Sequence, residues 1–159
     1  MILSDRDIVR ELNKGSLRII PCNGEQIQPC SVDLHLSKEL KTIDGKDISL
    51  VSTDLEGNIS DNPYKLQPNE FILGSTEEYV EIPNHLCGQL EGRSSVARMG
   101  LMCHITAGFI DSGYFGNITL ELYNASDKPF ELKYGDSICQ LVLHLLSSEC
   151  SRPYGSNGI

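Results

Sequence analysis

Residues 117–124 read NITLELYN, and their apolar and polar side chains alternate with a period of two. A strand with one buried face satisfies that pattern, and a helix does not. Similar short runs are LRII (17–20), SVDLHL (31–36), EFILGS (70–75), EYVEI (78–82) and SICQLVLHL (137–145). Turn signals at Asp44-Gly45, Gly57-Asn58 and Gly135-Asp136 fall between runs of this kind. Many short strands at fairly regular spacing predict a mainly β chain closed as a sandwich or barrel. Residues 52–69 are polar and rich in turn formers, so an exposed excursion is expected there. Neither a repeat nor a second domain is apparent, and residues 1–159 are expected to form one domain, long enough for a real core.

Two helices are predicted. Ser4 is placed to cap the first, Asp7 completes a capping-box-like pair, Ile8 and Leu12 give it an apolar stripe, and Gly15 follows its end. The second interrupts the β pattern at GRSSVARMG (92–100), with Ser94 or Ser95 as its N-cap and Gly100 as its stop. A helix start carrying Arg93 and two serines can hold phosphate oxygens. Simple capping is the plainer use of the same residues.

Charge and cysteine usage narrow the function classes. The formal net charge is −9, which argues against broad binding to nucleic acid. It leaves room for one small anionic ligand, given a local group of arginines or a bridging Mg²⁺. No apolar run reaches the roughly 18 residues that span a membrane, and MILSDRDIVREL does not read as a secretory signal. The six cysteines form no C-x-x-C pair, and His35, His85, His104 and His144 are isolated. Free thiols in a reducing cytoplasm and no zinc site are expected.

Two carboxylates stand out. Alternation puts Ile118, Leu120 and Leu122 on one face of the 117–124 strand and Thr119, Glu121 and Tyr123 on the other. Glu121 is either a solvent-facing acid or a general base on a pocket wall, with Ser94 and Arg98 as candidates to orient its water. Asp111 lies in AGFIDSGYFG, whose glycines allow close backbone approach to a ligand. It is either a turn former or a ligand-facing acid, and Tyr114 is placed to pack against a sugar.

Taken in order, MILSDRDI, IQPCSVDLHL (27–36), EGRSSVARMGL (91–101), TAGFIDSGYFGNITLELYN (106–124), GDSICQLVL (135–143) and RPYG (152–155) resemble the dCTP deaminase and dUTPase superfamily. The resemblance implies a distorted jelly-roll-like β structure, a homotrimer with active sites at subunit boundaries, and deamination without zinc. It places the general base on Glu121 and its water-positioning partners on Ser94 and Arg98. It places phosphate contacts on Arg93, Ser95, Gln140 and Tyr154, with Val96 and Ala97 beside them in the substrate site. The sugar-contacting acid falls on Asp111, and backbone at Thr119 and Leu120 faces the base.

Gly108 and Phe109 decide the subtype. Deaminases that release dUTP carry a His-Arg pair before Ile-Asp, whereas this chain reads AGFID and resembles the bifunctional, dUMP-forming group. The implied substrates are dCTP and dUTP, with Mg²⁺ on the triphosphate and dTTP as an inhibitor. The alternatives are a deaminase that releases dUTP, a dUTPase without deamination, and a trimeric nucleotide sensor without turnover. The family's chain continues past the PYG stretch into a tail that closes over the phosphates; this chain stops at SNGI, so a short or truncated lid is expected.

Overall fold

The computed structural model describes residues 1–156, and the end of the tail expectation, 157–159, lies outside the described residues. Helix α1 spans Asp5–Lys14 and begins as predicted. The Ser4 hydroxyl accepts the Asp7 N–H at 3.4 Å, and Gly15 ends the helix at φ 72°, a conformation that costs glycine little. Ile8 is fully buried and fixes the helix to the sheets.

Strands β1 (Arg18–Ile20), β2 (Ile27–Gln28), β3 (Ser31–His35), β4 (Glu39–Lys41) and β5 (Asp47–Ser49) follow. Next come β6 (Val51–Thr53), β7 (Ile59–Asp61), β8 (Tyr64–Leu66), β9 (Phe71–Glu81) and β10 (Leu86–Gly92). Helix α2 (Ser94–Ala97) precedes β11 (Leu101–Met102), β12 (Phe109–Ile110), β13 (Phe115–Asn124), β14 (Phe130–Leu132) and β15 (Ser137–Leu145).

One sheet runs β11–β13–β9–β4–β5, with β1 also paired to β9, and the other runs β12–β10–β15–β3–β2. Their pairings are antiparallel. Ile72, Leu120 and Leu122 of one sheet and Leu34, Leu90 and Leu141 of the other belong to one buried core. Each such side chain contributes about 1.5–3 kcal/mol when removed from water. The architecture is the mainly β sandwich expected from the alternation, in keeping with the jelly-roll-like structure that the resemblance implies. Among the described residues no helix is long and apolar enough to cross a membrane.

Two sequence expectations need correction. EFILGS and EYVEI are not separate strands; they are halves of β9. Between the pairs Asn117↔Tyr79 and Thr119↔Ser75, three residues of β9 lie opposite one of β13. The polar residues at 75–78 therefore mark a bulge inside one strand. It buries Thr76 and Glu78, and Thr76 Oγ1 accepts the Ile118 N–H at 2.9 Å. Likewise 52–69 is only partly an excursion. The β6–β7 hairpin tip is exposed, yet β8 pairs with β14 and buries Leu66 completely.

Candidate active site

Helix α2 starts one residue earlier than a serine cap would allow. Its N-cap is Arg93, in extended conformation, with no side-chain capping bond. The reason lies in β10, which stays extended through Gly92, so the first turn closes on the next residue. Ser94 and Ser95 sit inside the helix, exposed, with hydroxyls not spent on capping. Gly100, at φ 93°, lies beyond the helix, whose C-cap is Arg98.

Arg93 is braced from two sides. Its guanidinium pairs with Asp33 Oδ2 at 3.2 Å and donates to the Ser137 carbonyl at 3.1 Å. Gln140 lies directly across from Asp33 on β3 and from Glu91 on β10, and cross-strand neighbours share one face. The Ser31 hydroxyl donates to Gln140 Oε1 at 3.1 Å. Arg93, Ser94, Ser95 and Gln140 thus line one hollow of about 320 Å³ with Ser31 and Asp33. Arg98 faces a different hollow, beside Ser126 and Lys128. Val96 is half-buried against Phe130 and Ile138, and Ala97 is exposed.

Glu121 stands on β13, opposite the buried faces of Leu120 and Leu122. Its carboxylate accepts the Ile105 N–H at 3.0 Å, and its own N–H donates to the Cys103 carbonyl at 3.1 Å. Antiparallel geometry alternates the direction of backbone groups, so Thr119 presents its N–H and C=O toward the same edge. Strand β11 reaches only Tyr123 and Asn124, which leaves that edge open at Thr119. Leu120 is fully buried and offers a ligand only its backbone.

Gly108 is packed where no side chain fits. A Cβ there would lie 2.9 Å from the Leu90 carbonyl oxygen and 2.9 Å from the His104 ring, and the Gly108 carbonyl accepts the Leu90 N–H at 2.6 Å. Phe109 follows, exposed. Asp111 is exposed on the wall of a cavity of about 560 Å³ shared with Phe109, Cys87, Arg152 and Tyr154. Burial pushes the Cys87 thiol pKa up, and the Asp111 charge adds to the shift.

The segment 153–154 folds back over this turn. The Tyr154 N–H donates to the Ser112 carbonyl at 2.8 Å, and its ring lies 5.5 Å from that of Tyr114 at 55°. Gly113, at φ 81°, makes room, since a Cβ there would meet Pro153 Cβ at 2.5 Å. The Tyr114 hydroxyl donates to the Asn117 carbonyl at 2.9 Å, and burial raises the phenol pKa. Tyr154 therefore joins Asp111 and Tyr114 within the chain, apart from Arg93 and Gln140.

One strand separates the two groups. Ile110 pairs with Gly88 near the start of β10, so Asp111 lies level with Cys87. Arg93 follows the other end of that strand, about 20 Å away at ~3.3 Å per residue. Asp33 was missed as a candidate from the sequence. Its signal was a lone acid inside the apolar run SVDLHL, buried in the folded chain.

A family model described as dCTP deaminase-like matches residues 2–146. The chain belongs to this dCTP deaminase-like family. It is 44% identical over 164 residues to a dUMP-forming dCTP deaminase of Parafrankia sp. (strain EAN1pec), covering 98% of this chain and 82% of that protein. It is 41% identical over 165 residues to a dUMP-forming dCTP deaminase of Methanothermobacter thermautotrophicus, covering 97% and 84%. Among solved structures, the 2′-deoxycytidine 5′-triphosphate deaminase from Agrobacterium tumefaciens superposes with a TM-score of 0.71 at 18% identity. That match covers 91% of this chain, which spans about half, 48%, of the other. A dUTPase from phage phi11 of S. aureus, described with a structural Mg(II) ion, gives 0.54 at 20% identity, covering 84% and 93%. These two likenesses show the fold.

Proposed function

We propose that this protein is a hydrolase that converts dCTP and water to dUMP, ammonia and pyrophosphate. The observation that carries the reading is the setting of Asp111. It is exposed on a cavity wall beside Gly108, where no side chain fits, and beside the uncharged Phe109. A second acid, Glu121, is held separately on β13. The relatives named dUMP-forming at 44% and 41% identity support the same product.

Glu121 takes a proton from a water that attacks C4 of cytosine, delivers protons to N3 and the leaving amine, and so releases ammonia. The backbone at Thr119 and Leu120 faces the base. Asp111 holds the sugar and activates a second water for attack at the α-phosphorus, with pyrophosphate as the leaving group. The hollow around Arg93, Ser95 and Gln140 grips the phosphates, and Val96 and Ala97 stand at its margin. Tyr154 closes the phosphate end from the arm, and Tyr114 backs it.

Ser94 and Arg98 position the first water, yet within one chain they line two hollows and Glu121 bonds to Ile105. About 20 Å also separates Arg93 from Asp111 along β10. Both facts support a site assembled between copies of the chain, in a homotrimer. Among the described residues no three His, Cys, Asp or Glu side chains group to hold a metal ion. Asp33 and Gln140, oxygen donors on the wall of the Arg93 hollow, would help hold Mg²⁺ carried in on the triphosphate. When bound, that ion screens the triphosphate and stabilises the leaving pyrophosphate. The reading makes dUTP a second substrate, dTTP an inhibitor and the cytoplasm the site of action.

Incubation with dCTP and Mg²⁺, with dUTP, dUMP and pyrophosphate resolved, tests the proposal. Formation of dUMP and pyrophosphate without free dUTP is expected. Accumulating dUTP indicates a simple deaminase, hydrolysis of supplied dUTP alone indicates a dUTPase, and binding without turnover indicates a sensor.

A further inference from the structure

The cavity of about 560 Å³ beside Asp111 holds a cation that neither hydrolytic step yet uses. Among the described residues, Asp111 and Arg152 are the two charged side chains that line it, and the rest of the wall is neutral. Opposite charges between neutral walls attract strongly. Arg10, Arg18 and Arg93 each pair with a carboxylate, whereas among the described residues none pairs with Arg152. Asp111 and Arg152 therefore border one space and leave a gap between them.

The backbone fixes where that cation is mounted. Cys150, where the arm leaves the body, donates its N–H to the Asn84 carbonyl at 3.0 Å, and Tyr154 donates its own to the Ser112 carbonyl at 2.8 Å. Arg152 lies two residues from each anchor. Proline restricts the residue before it to extended backbone, and the Pro153 ring fills the space that Gly113 leaves by having no Cβ. The Asp111 turn is tied to the same connection between β9 and β10. Gly113 donates its N–H to the Ile82 carbonyl at 2.9 Å, and the Ser112 hydroxyl donates to the Leu86 carbonyl. Acid and arginine, far apart in the sequence, are thus both mounted on residues 82–86.

We propose that Arg152 is a catalytic residue of pyrophosphate release: its guanidinium binds the α-phosphate and stabilises the charge that develops there while Asp111 directs water at the same phosphorus. The water oxygen forms a bond to the α-phosphorus and gives its proton to Asp111. The bond from that phosphorus to the α–β bridging oxygen breaks, and pyrophosphate leaves with the electron pair. An acid alone at this place would repel a polyphosphate. An arginine across the gap offsets that repulsion and presents parallel N–H groups to phosphate oxygens. A direct ion pair would weaken Asp111 as a proton acceptor, so the gap keeps the base usable. Glu121 and the cytosine ring take no part in this step. The inference rests on the reading of Asp111 as the acid that activates the second water.

The test is steady-state kinetics of the full chain on supplied dUTP and on dCTP, both with Mg²⁺, alongside thermal melts. Arg152→Ala is expected to lower kcat for dUTP hydrolysis about 10²–10³-fold, the loss that follows removal of one donor from a developing charge. Ammonia release from dCTP should fall far less, so dUTP accumulates where wild type gives dUMP. The melting temperature should stay near that of wild type, because Arg152 is exposed. Should the alanine variant fail to fold, Arg152→Gln removes the charge, keeps most of the side chain and carries the same expectation. A folded variant that hydrolyses dUTP with near wild-type kcat overturns the inference, and so does a loss confined to KM. An equal fall in ammonia release and dUTP hydrolysis also overturns it, since Arg152 would then serve the arm as a whole. Wild-type protein that releases dUTP from dCTP without hydrolysing it, or does not turn dCTP over, overturns the reading of the second step itself, a distinct result.

Discussion

Arg93 and Asp111 occupy opposite ends of β10 and are held in opposite ways. Arg93 is braced by an ion pair and a carbonyl. Asp111 sits in a glycine-rich turn, exposed, under a folded-back arm attached by one backbone hydrogen bond and a tilted ring pair. Under the proposed function the difference separates two mechanical tasks. A phosphate grip gains from a cation oriented in advance. A group beside a scissile bond needs an entrance that opens for substrate and closes over it.

The largest effect expected on this division is at Glu121, the proposed base. Glu121→Gln should lower deamination of dCTP about 10²–10⁴-fold while supplied dUTP is still hydrolysed, because Asp111 is untouched. Measured rates on both substrates check it. If both fall together, the two acids do not have separate roles.

Next is the pair Gly108→His with Phe109→Arg. A Cβ at 108 overlaps the Leu90 carbonyl and the His104 ring. Overpacking should cost about 1–3 kcal/mol, a fall of roughly 2–12 °C in melting temperature for a chain of this size. In the folded fraction, products should shift from dUMP toward dUTP. A folded variant that still forms only dUMP would detach the second activity from this turn.

Tyr154→Ala tests the arm. It should raise KM for dCTP a few-fold and leave the melting temperature nearly unchanged, because the residue is exposed and surface changes lie mostly within about 0.5 kcal/mol. An equal loss of stability would make the arm a structural strap.

The smallest effect concerns Glu11, which anchors the 83–86 turn under the arm by bonding His85 Nε2 at 2.9 Å. Its pKa is lowered to about 2, first by the Ser16 hydroxyl and then by Lys14 and His85, against the opposing effect of burial. A depressed carboxylate stabilises the fold above its unfolded pKa and loses that contribution as pH falls through the folded value. Glu11→Gln should therefore lower the melting temperature at pH 7, and the gap to wild type should shrink as pH drops from about 4.5 toward 2. A gap independent of pH would assign the effect to packing alone.

The alternation that exposed β13 and β15 in the sequence worked because each strand has one core face. It failed at 75–78, where a bulge buries polar groups and imitates a strand boundary. The serine cap failed for a similar reason: local preference marks Ser94, but the strand before it fixes where the turn closes. Glu121, Asp111 and Arg93 were legible as acids and a cation in unusual settings. Asp33 and Glu78 were not, because their meaning depends on partners 60 and 52 residues away in the sequence, counting Asp33 to Arg93 and Gln26 to Glu78.

The placing of Glu121 and Ser94 on separate parts of the chain also has a genetic consequence. If each site draws Glu121 from one copy and Ser94 from the next, two dead variants can repair one another. Glu121→Gln and Ser94→Ala chains are each expected to lose dCTP deamination alone. Unfolded together and refolded as a mixture, they should recover activity, since about a quarter of the sites in a randomly mixed closed ring draw both groups from intact sources. In a cell carrying both alleles, the enzyme would behave as a shared property of the ring, and neither defect would be fully recessive or fully silent.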